Sequence, residues 1–167
     1  MTPQKHQAYA KRIAEIYQDN ETDYDDRVDE LEKIHDEYLK EFEQYLKKQK
    51  LSPKVIARHI DNVNFYITEY LPREMISTIY DGGDELQGFF GYFYIHKCLF
   101  ASVEGMKRFF ASLNKFYRFL YQKGYVTAAQ CANVRDTIHT FKDEWMAELR
   151  DYDEGLDYDT GDDPGWF

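Results

Sequence analysis

The sequence predicts an all-α protein, a helical bundle carrying an extra N-terminal helical hairpin. Three observations support this. Apolar residues recur at spacings of three and four along nearly the whole chain, and no stretch shows a convincing period of two. Helix start signals, a capping side chain followed by proline or by a capping box, stand where the apolar stripes begin. Of the 167 residues, 43% are hydrophobic, including 12 Phe and 15 Tyr, enough to fill the core of one domain.

Tyr9, Ile13, Ile16 and Tyr17 share one side of a short first helix, which the acidic stretch Asp19–Asp26 ends. A longer helix spans about Tyr24 to Lys48. Its seam is Val28, Leu31, His35, Tyr38, Phe42 and Tyr45, widened by Ile34, Leu39 and Leu46. Three heptads are too few for a coiled coil, so the seam is expected to pack on the core or on a second copy. Ser52-Pro53 starts the next helix, with a capping hydroxyl and then proline at the first helical position. Its stripe is Ile56, Ile60, Val63, Ile67 and Tyr70, while Lys54, Arg58 and Asn62 lie on another face.

Leu71-Pro72 stops that helix, and Arg73 to Glu85 reads as a short helical turn and a loop broken by Asp81-Gly82-Gly83-Asp84. Leu86 to Leu99 is apolar all round, with Phe89, Phe90, Tyr92, Phe93 and Tyr94, so it is expected at the centre of the bundle. Gly88 and Gly91 each weaken that helix by about 1 kcal/mol and permit close helix–helix approach. Ser102 caps the following helix, whose Val103, Met106, Phe110, Leu113, Tyr117 and Leu120 face inward, with Phe109 and Phe116 on the flank. At about 100° per residue, Lys107, Arg108, Lys115 and Arg118 share one sector opposite that stripe. Gly124 is placed as its C-terminal cap. Thr127 and Gln130 form a capping box for a last helix with Cys131, Val134, Ile138, Phe141 and Trp145 inside. The acidic stretch 151–167 is expected to be a disordered tail. The expected organisation is thus a helical extension over 1–48, a bundle over 49–150 and the tail.

Charge is distributed in blocks. Residues 1–46 hold 6 basic and 13 acidic side chains, net −7, residues 47–126 hold 12 and 7, net +5, and residues 127–167 hold 3 and 11, net −8. The total of −10 argues against a nucleic-acid partner, but a phosphate backbone senses a face and not a total. Cys98 and Cys131, 33 positions apart, fit neither a metal knuckle nor a redox pair, and two free thiols in a reducing cytoplasm are expected. No apolar run approaches the roughly 20 residues that span a bilayer, and Met1–Arg12 has no apolar signal region.

Two stretches of the basic block form a bipartite pattern. Leu51-Ser52-Pro53-Lys54-Val55-Ile56 opens one helix, and Ser112-Leu113 through Phe116-Tyr117, Phe119-Leu120 and Gly124 closes another. Together, from Phe42 to about Val126, they resemble the N-terminal core-binding domain of tyrosine recombinases and phage integrases, a SAM-like bundle of four or five helices. In that family the domain forms half of a clamp around double-stranded DNA. The resemblance implies DNA contacts from Ser52, Lys54, Arg58 and His59 on the first helix and from Lys107, Arg108, Lys115 and Arg118 on the later one. The family's catalytic domain is not represented. No His is followed three residues later by Arg, and about 40 residues remain after Val126. The expected function is therefore non-catalytic: a stand-alone DNA-binding module or, alternatively, a protein-interaction or self-association module that kept the fold. An acidic tail can compete with DNA for the basic face.

No metal or other cofactor is expected. Glu32 and His35 form one Glu-x-x-His step, but a di-iron bundle needs two such steps with further carboxylates, and Asp136 with His139 is only a partial copy. His35 on an apolar seam reads as a core histidine. In Asp157-x-Asp159-x-Gly161 the glycine comes one position early for a calcium loop, and the closing Glu is missing.

Overall fold

A computed structural model describes residues 1–159, with side chains to Gly155 apart from Glu74. Among the described residues there are six main helices and no strand. They are α1 (Pro3–Gln18), α2 (Tyr24–Lys48), α3 (Pro53–Asn64), α4 (86–97), α5 (Val103–Gln122) and α6 (Ala128–Asp159). α3 runs on into a π-helical turn, Phe65–Tyr70. α4 contains another, Phe89–Phe93, between Leu86–Gly88 and Tyr94–Lys97. Two 3-10 turns, Arg73–Met75 and Gly82–Glu85, lie between α3 and α4.

Local chemistry sets the boundaries. Thr2 accepts from the amide of Lys5 ahead of Pro3, Ser52 from Val55 ahead of Pro53, and Ser102 from Gly105. Thr127 and Gln130 form a reciprocal capping box, with side-chain oxygens 2.8 and 3.1 Å from each other's amides. Gly124, at φ 75°, ends α5, with the Tyr125 amide bonded to the Leu120 carbonyl and its own amide to Tyr121.

One continuous core runs from Ile13 to Leu149. The long seam of α2 is spent inside the chain: Leu31, Ile34, His35, Tyr38, Leu39, Phe42 and Leu46 are all buried. Phe42 meets Phe116 and Phe119 of α5 at centroid distances of 5.2 and 5.4 Å. The two π turns face each other through aromatic rings, with Phe89 4.9 Å from both Tyr66 and Tyr70. Phe90 stacks on Trp145 of α6 at 5.1 Å, where Gly91 leaves the room. α1 is pinned to this body by a tyrosine chain. His6 Nδ1 lies 2.8 Å from the Tyr38 hydroxyl, which lies 2.7 Å from that of Tyr80.

Two regions differ from expectation. Within the Asp81–Asp84 breaker, Gly82 and Gly83 are instead buried in a 3-10 turn that tyrosines stitch to the core. Tyr66 donates to the Gly82 carbonyl, and Tyr117 donates to that of Ile79 at 2.7 Å. A Cβ on Gly82 would stand 2.0 Å from the Tyr117 hydroxyl oxygen. The last helix also continues through residues 151–159, where a tail was expected to begin. Tyr152 explains the extension locally, because its ring packs edge-on against His96 at 4.7 Å and gives the acidic segment a tertiary anchor. The rest of the expected tail, 160–167, lies outside the described residues.

His35 is fully buried, its Nδ1 3.5 Å from the Thr68 hydroxyl, and burial lowers its pKa from 6.5 to about 3. The folded state therefore resists a proton that the unfolded chain accepts. This stabilisation is complete above pH 6.5 and is lost as pH falls from there toward 3.

Gly82→Ala is expected to cost about 3 kcal/mol and to lower Tm by roughly 6–12 °C, read by thermal melting. Urea midpoints are expected to fall between pH 7.5 and 5, and to fall less in His35→Gln, whose side chain does not titrate. Equal slopes in the two proteins would assign the acid lability elsewhere.

Candidate nucleic-acid interface

α3 and α5 lie side by side, each with its apolar stripe inward, so their cationic faces are left at the surface along a common seam. The seam is held by a buried hydroxyl. Ser112 Oγ donates to the Arg108 carbonyl at 2.9 Å, one turn back in α5. It accepts from Asn62 Nδ2 at 3.1 Å and lies 2.7 Å from His59 Nδ1. With its single proton committed to Arg108, the hydroxyl is satisfied when His59 carries its hydrogen on Nδ1.

This geometry corrects the reading of His59. The imidazole is 4% exposed and turned into the α3–α5 seam, where it cannot reach a DNA phosphate. Its spacing carried the signal. His59 is three residues after Ile56 and four before Val63, so it belongs to the apolar stripe and not to the face of Arg58. Burial first, then the positive charges of Lys115 and Arg58, lower its pKa to about 4. Both cations are therefore close enough for the imidazole to feel their charge.

The remaining residues divide into a central group and two flanks. Arg58 is half-buried, and Arg108 faces it across a cleft of about 320 Å³ whose walls include Phe65, Phe100 and Phe109. Lys115 continues the line one and a half to two turns along α5, its ammonium 3.3 Å from Gln49 Oε1 at the end of α2. Lys54 is exposed one turn before Arg58. Ser52 is exposed as well, but its hydroxyl is engaged by the Val55 amide at 3.3 Å as the cap of α3. On the far side of α5, Arg118 is exposed and near enough to the start of α6 for Cys131 to feel its charge. Lys107 lies on that side too and pairs with Glu104 at 3.1 Å.

The structure adds two cations that the motif did not include. Lys48 and Lys50 are exposed at the α2–α3 turn, which the Lys115–Gln49 contact brings against the seam. Lys50 has φ 58°, which turns the chain sharply there. Among the described residues, no ion pair engages Lys48, Lys50, Lys54, Arg58, Arg108, Lys115 or Arg118. Carboxylates of the acidic ends satisfy other partners, such as Arg12 with Glu30 at 2.6 Å and Lys5 with Glu37 at 2.9 Å.

The other constellations do not assemble. Glu32 is exposed while His35 is buried, so the pair does not share an environment, and Asp136 and His139 are both at the surface of α6. No group of three or more His, Cys, Asp or Glu side chains is placed to hold a metal among the described residues. The Asp157–Gly161 run lies outside the described side chains. Cys98 is a buried free thiol and Cys131 a half-buried one. No helix among the described residues is long and apolar enough to cross a membrane.

Comparison with known proteins finds no matching family model, curated protein or solved structure.

His59→Ala distinguishes a structural histidine from a contact residue. It is expected to cost about 2 kcal/mol in urea denaturation while leaving the salt dependence of any nucleic-acid binding unchanged.

Proposed function

We propose that this protein is a non-catalytic DNA-binding module of the recombinase core-binding type, gripping duplex phosphates along the seam of α3 and α5. The observation that carries this reading is the convergence of Arg58, Arg108 and Lys115 on one seam without carboxylate partners among the described residues. Lys48, Lys50 and Lys54 extend the same face at the α2–α3 turn. Charges in such an arrangement neutralise phosphates and release condensed counterions, which supplies affinity without sequence information. The net charge of −10 does not oppose it strongly, since surface charges more than about 8 Å away are largely screened at physiological salt.

A protein-interaction module is the second reading. Leu99 is fully exposed and Phe100 is 57% exposed at the turn between α4 and α5, an apolar tip beside the same cleft. A protein surface covers such a tip more readily than a phosphate backbone does.

Fluorescence anisotropy of a labelled random-sequence duplex, titrated at several salt concentrations, tests the first reading. Binding with a negative salt slope is expected. Lys115→Ala should reduce the slope by about one, and Lys115→Glu should weaken binding further, while Lys33→Glu on α2 should change little. Absence of binding at low salt would retire the DNA reading.

A further inference from the structure

The cleft between α3, the α4–α5 turn and the start of α5 brings together three kinds of side chain: the arginines Arg58 and Arg108, the carboxylate of Asp61, and the rings of Phe65, Phe100 and Phe109. Arg58 Nε is buried and has no hydrogen-bond partner among the described residues, so a charged donor here lacks an acceptor. Asp61 lines the same cleft and forms no ion pair with either arginine. Phe100 is 57% exposed, yet its ring is held, 5.5 Å from Phe65 and 6.0 Å from Tyr94. The Tyr94 hydroxyl donates to the Ser102 carbonyl at 3.3 Å and so ties the turn that carries Phe100 to α4.

Each candidate occupant can be weighed against these three features. A phosphate accepts from the unpaired Arg58 donor in a charge-assisted bond. A continuous duplex backbone offers the arginines that phosphate, but it brings no ring to the phenylalanines and is repelled by Asp61. An acidic peptide is repelled by the same carboxylate. An unpaired nucleotide meets all three. Its phosphate binds the arginines, its base stacks on an aromatic ring, and its pairing edge presents an N–H to a carboxylate, which only accepts. Every base carries such an N–H, and it is free only when the base has no partner strand. The cleft volume of about 320 Å³ lies at the lower end of the range for small-ligand pockets, the scale of one nucleotide and not of a duplex.

We propose that this cleft holds a single unpaired nucleotide of a DNA strand. The phosphate lies at Arg58 and Arg108, the base stacks on Phe100 beside Phe65, and its pairing edge donates to Asp61. This rests on the DNA reading above and deepens it: the seam grips duplex phosphates, and the cleft takes a base that lies outside the stack. The protein therefore prefers DNA with an unpaired end to a continuous duplex. Phe100 acts as the base platform, and the arginines position the strand without reading its sequence.

The test is fluorescence anisotropy of the full chain with three labelled duplexes of one sequence. One is blunt, one ends in a single unpaired deoxyadenosine, and one ends in a single abasic nucleotide, with 3′ and 5′ overhangs measured separately. The last two carry the same phosphates, so their difference isolates the base. The base-bearing end is expected to bind about five- to hundredfold more tightly than the abasic end for at least one polarity. Phe100→Ala should bring that ratio to about one, and Phe100→Trp should retain it, which separates stacking from a general loss of structure. Equal affinity for the two ends in the unaltered protein overturns the proposal, and so does a preference that survives Phe100→Ala.

The blunt duplex keeps the two ideas apart. Blunt-duplex binding with a negative salt slope and no preference for the base removes only the cleft proposal. A Phe100-dependent preference without measurable blunt-duplex binding supports the cleft and retires the duplex reading. Free deoxyadenosine 5′-monophosphate is the competitor that separates a strand from a loose nucleotide. Displacement of the base-bearing end at concentrations comparable to that of the duplex overturns the assignment to a strand and gives the cleft to the free nucleotide.

Discussion

The buried hydroxyl of Ser112 sets the relation between α3 and α5, and much else in the molecule depends on that relation. Three polar groups meet there in an otherwise apolar seam: the His59 imidazole, the Asn62 amide and the Arg108 carbonyl. Burying them unpaired would cost a few kcal/mol, so the two helices have one register in which the seam closes without penalty. That register places Arg58 across from Arg108 and Lys115 beside the α2–α3 turn. A slip of one turn would bury polar groups without partners and separate these cations. The same interaction thus specifies the packing and composes the surface.

Aromatic side chains solve a second problem, that of tying a long irregular connection to a helical core. Between the π turn that ends α3 and the start of α4 the chain has two short 3-10 turns, and irregular backbone leaves carbonyls that need donors. Tyr66 and Tyr117 supply them from inside, their rings adding apolar area and their hydroxyls satisfying Gly82 and Ile79. The close approach this demands is possible because residue 82 has no Cβ. The opposed π turns in α3 and α4 carry Tyr66, Tyr70 and Phe89 into mutual contact at the same place.

Features set by neighbours in sequence were legible from the sequence. The caps at Ser52, Ser102 and Thr127, the glycine stop at Gly124 and the stripes of α2, α3 and α5 all depend on contacts within a turn or two. Features set across the fold were harder to read. Gly82-Gly83 looks like a breaker until two tyrosines distant in sequence bury it. Residues 151–159 look like tail until Tyr152 finds His96. His59 is the instructive case, because its spacing from Ile56 and Val63 was a local signal for burial. Its place between Arg58 and Ile60 in a basic motif outweighed that signal, and its polar character hid the fact that a hydroxyl awaited it on α5. Lys48 and Lys50 joined the site for a similar reason, since only the α2–α5 contact brings the turn that bears them to the seam.

Packing and charge come into conflict at Arg58. Its Nε is out of reach of solvent and lacks an acceptor, while its neighbour Arg108 and the nearby Lys115 raise the local positive potential. An unpaired buried donor on a charged group is a cost that helix packing alone does not require, since an uncharged side chain at this position would leave the α3 stripe unaltered. The cost falls when an anion enters the cleft, because a charge-assisted bond then satisfies the donor and lowers the potential together.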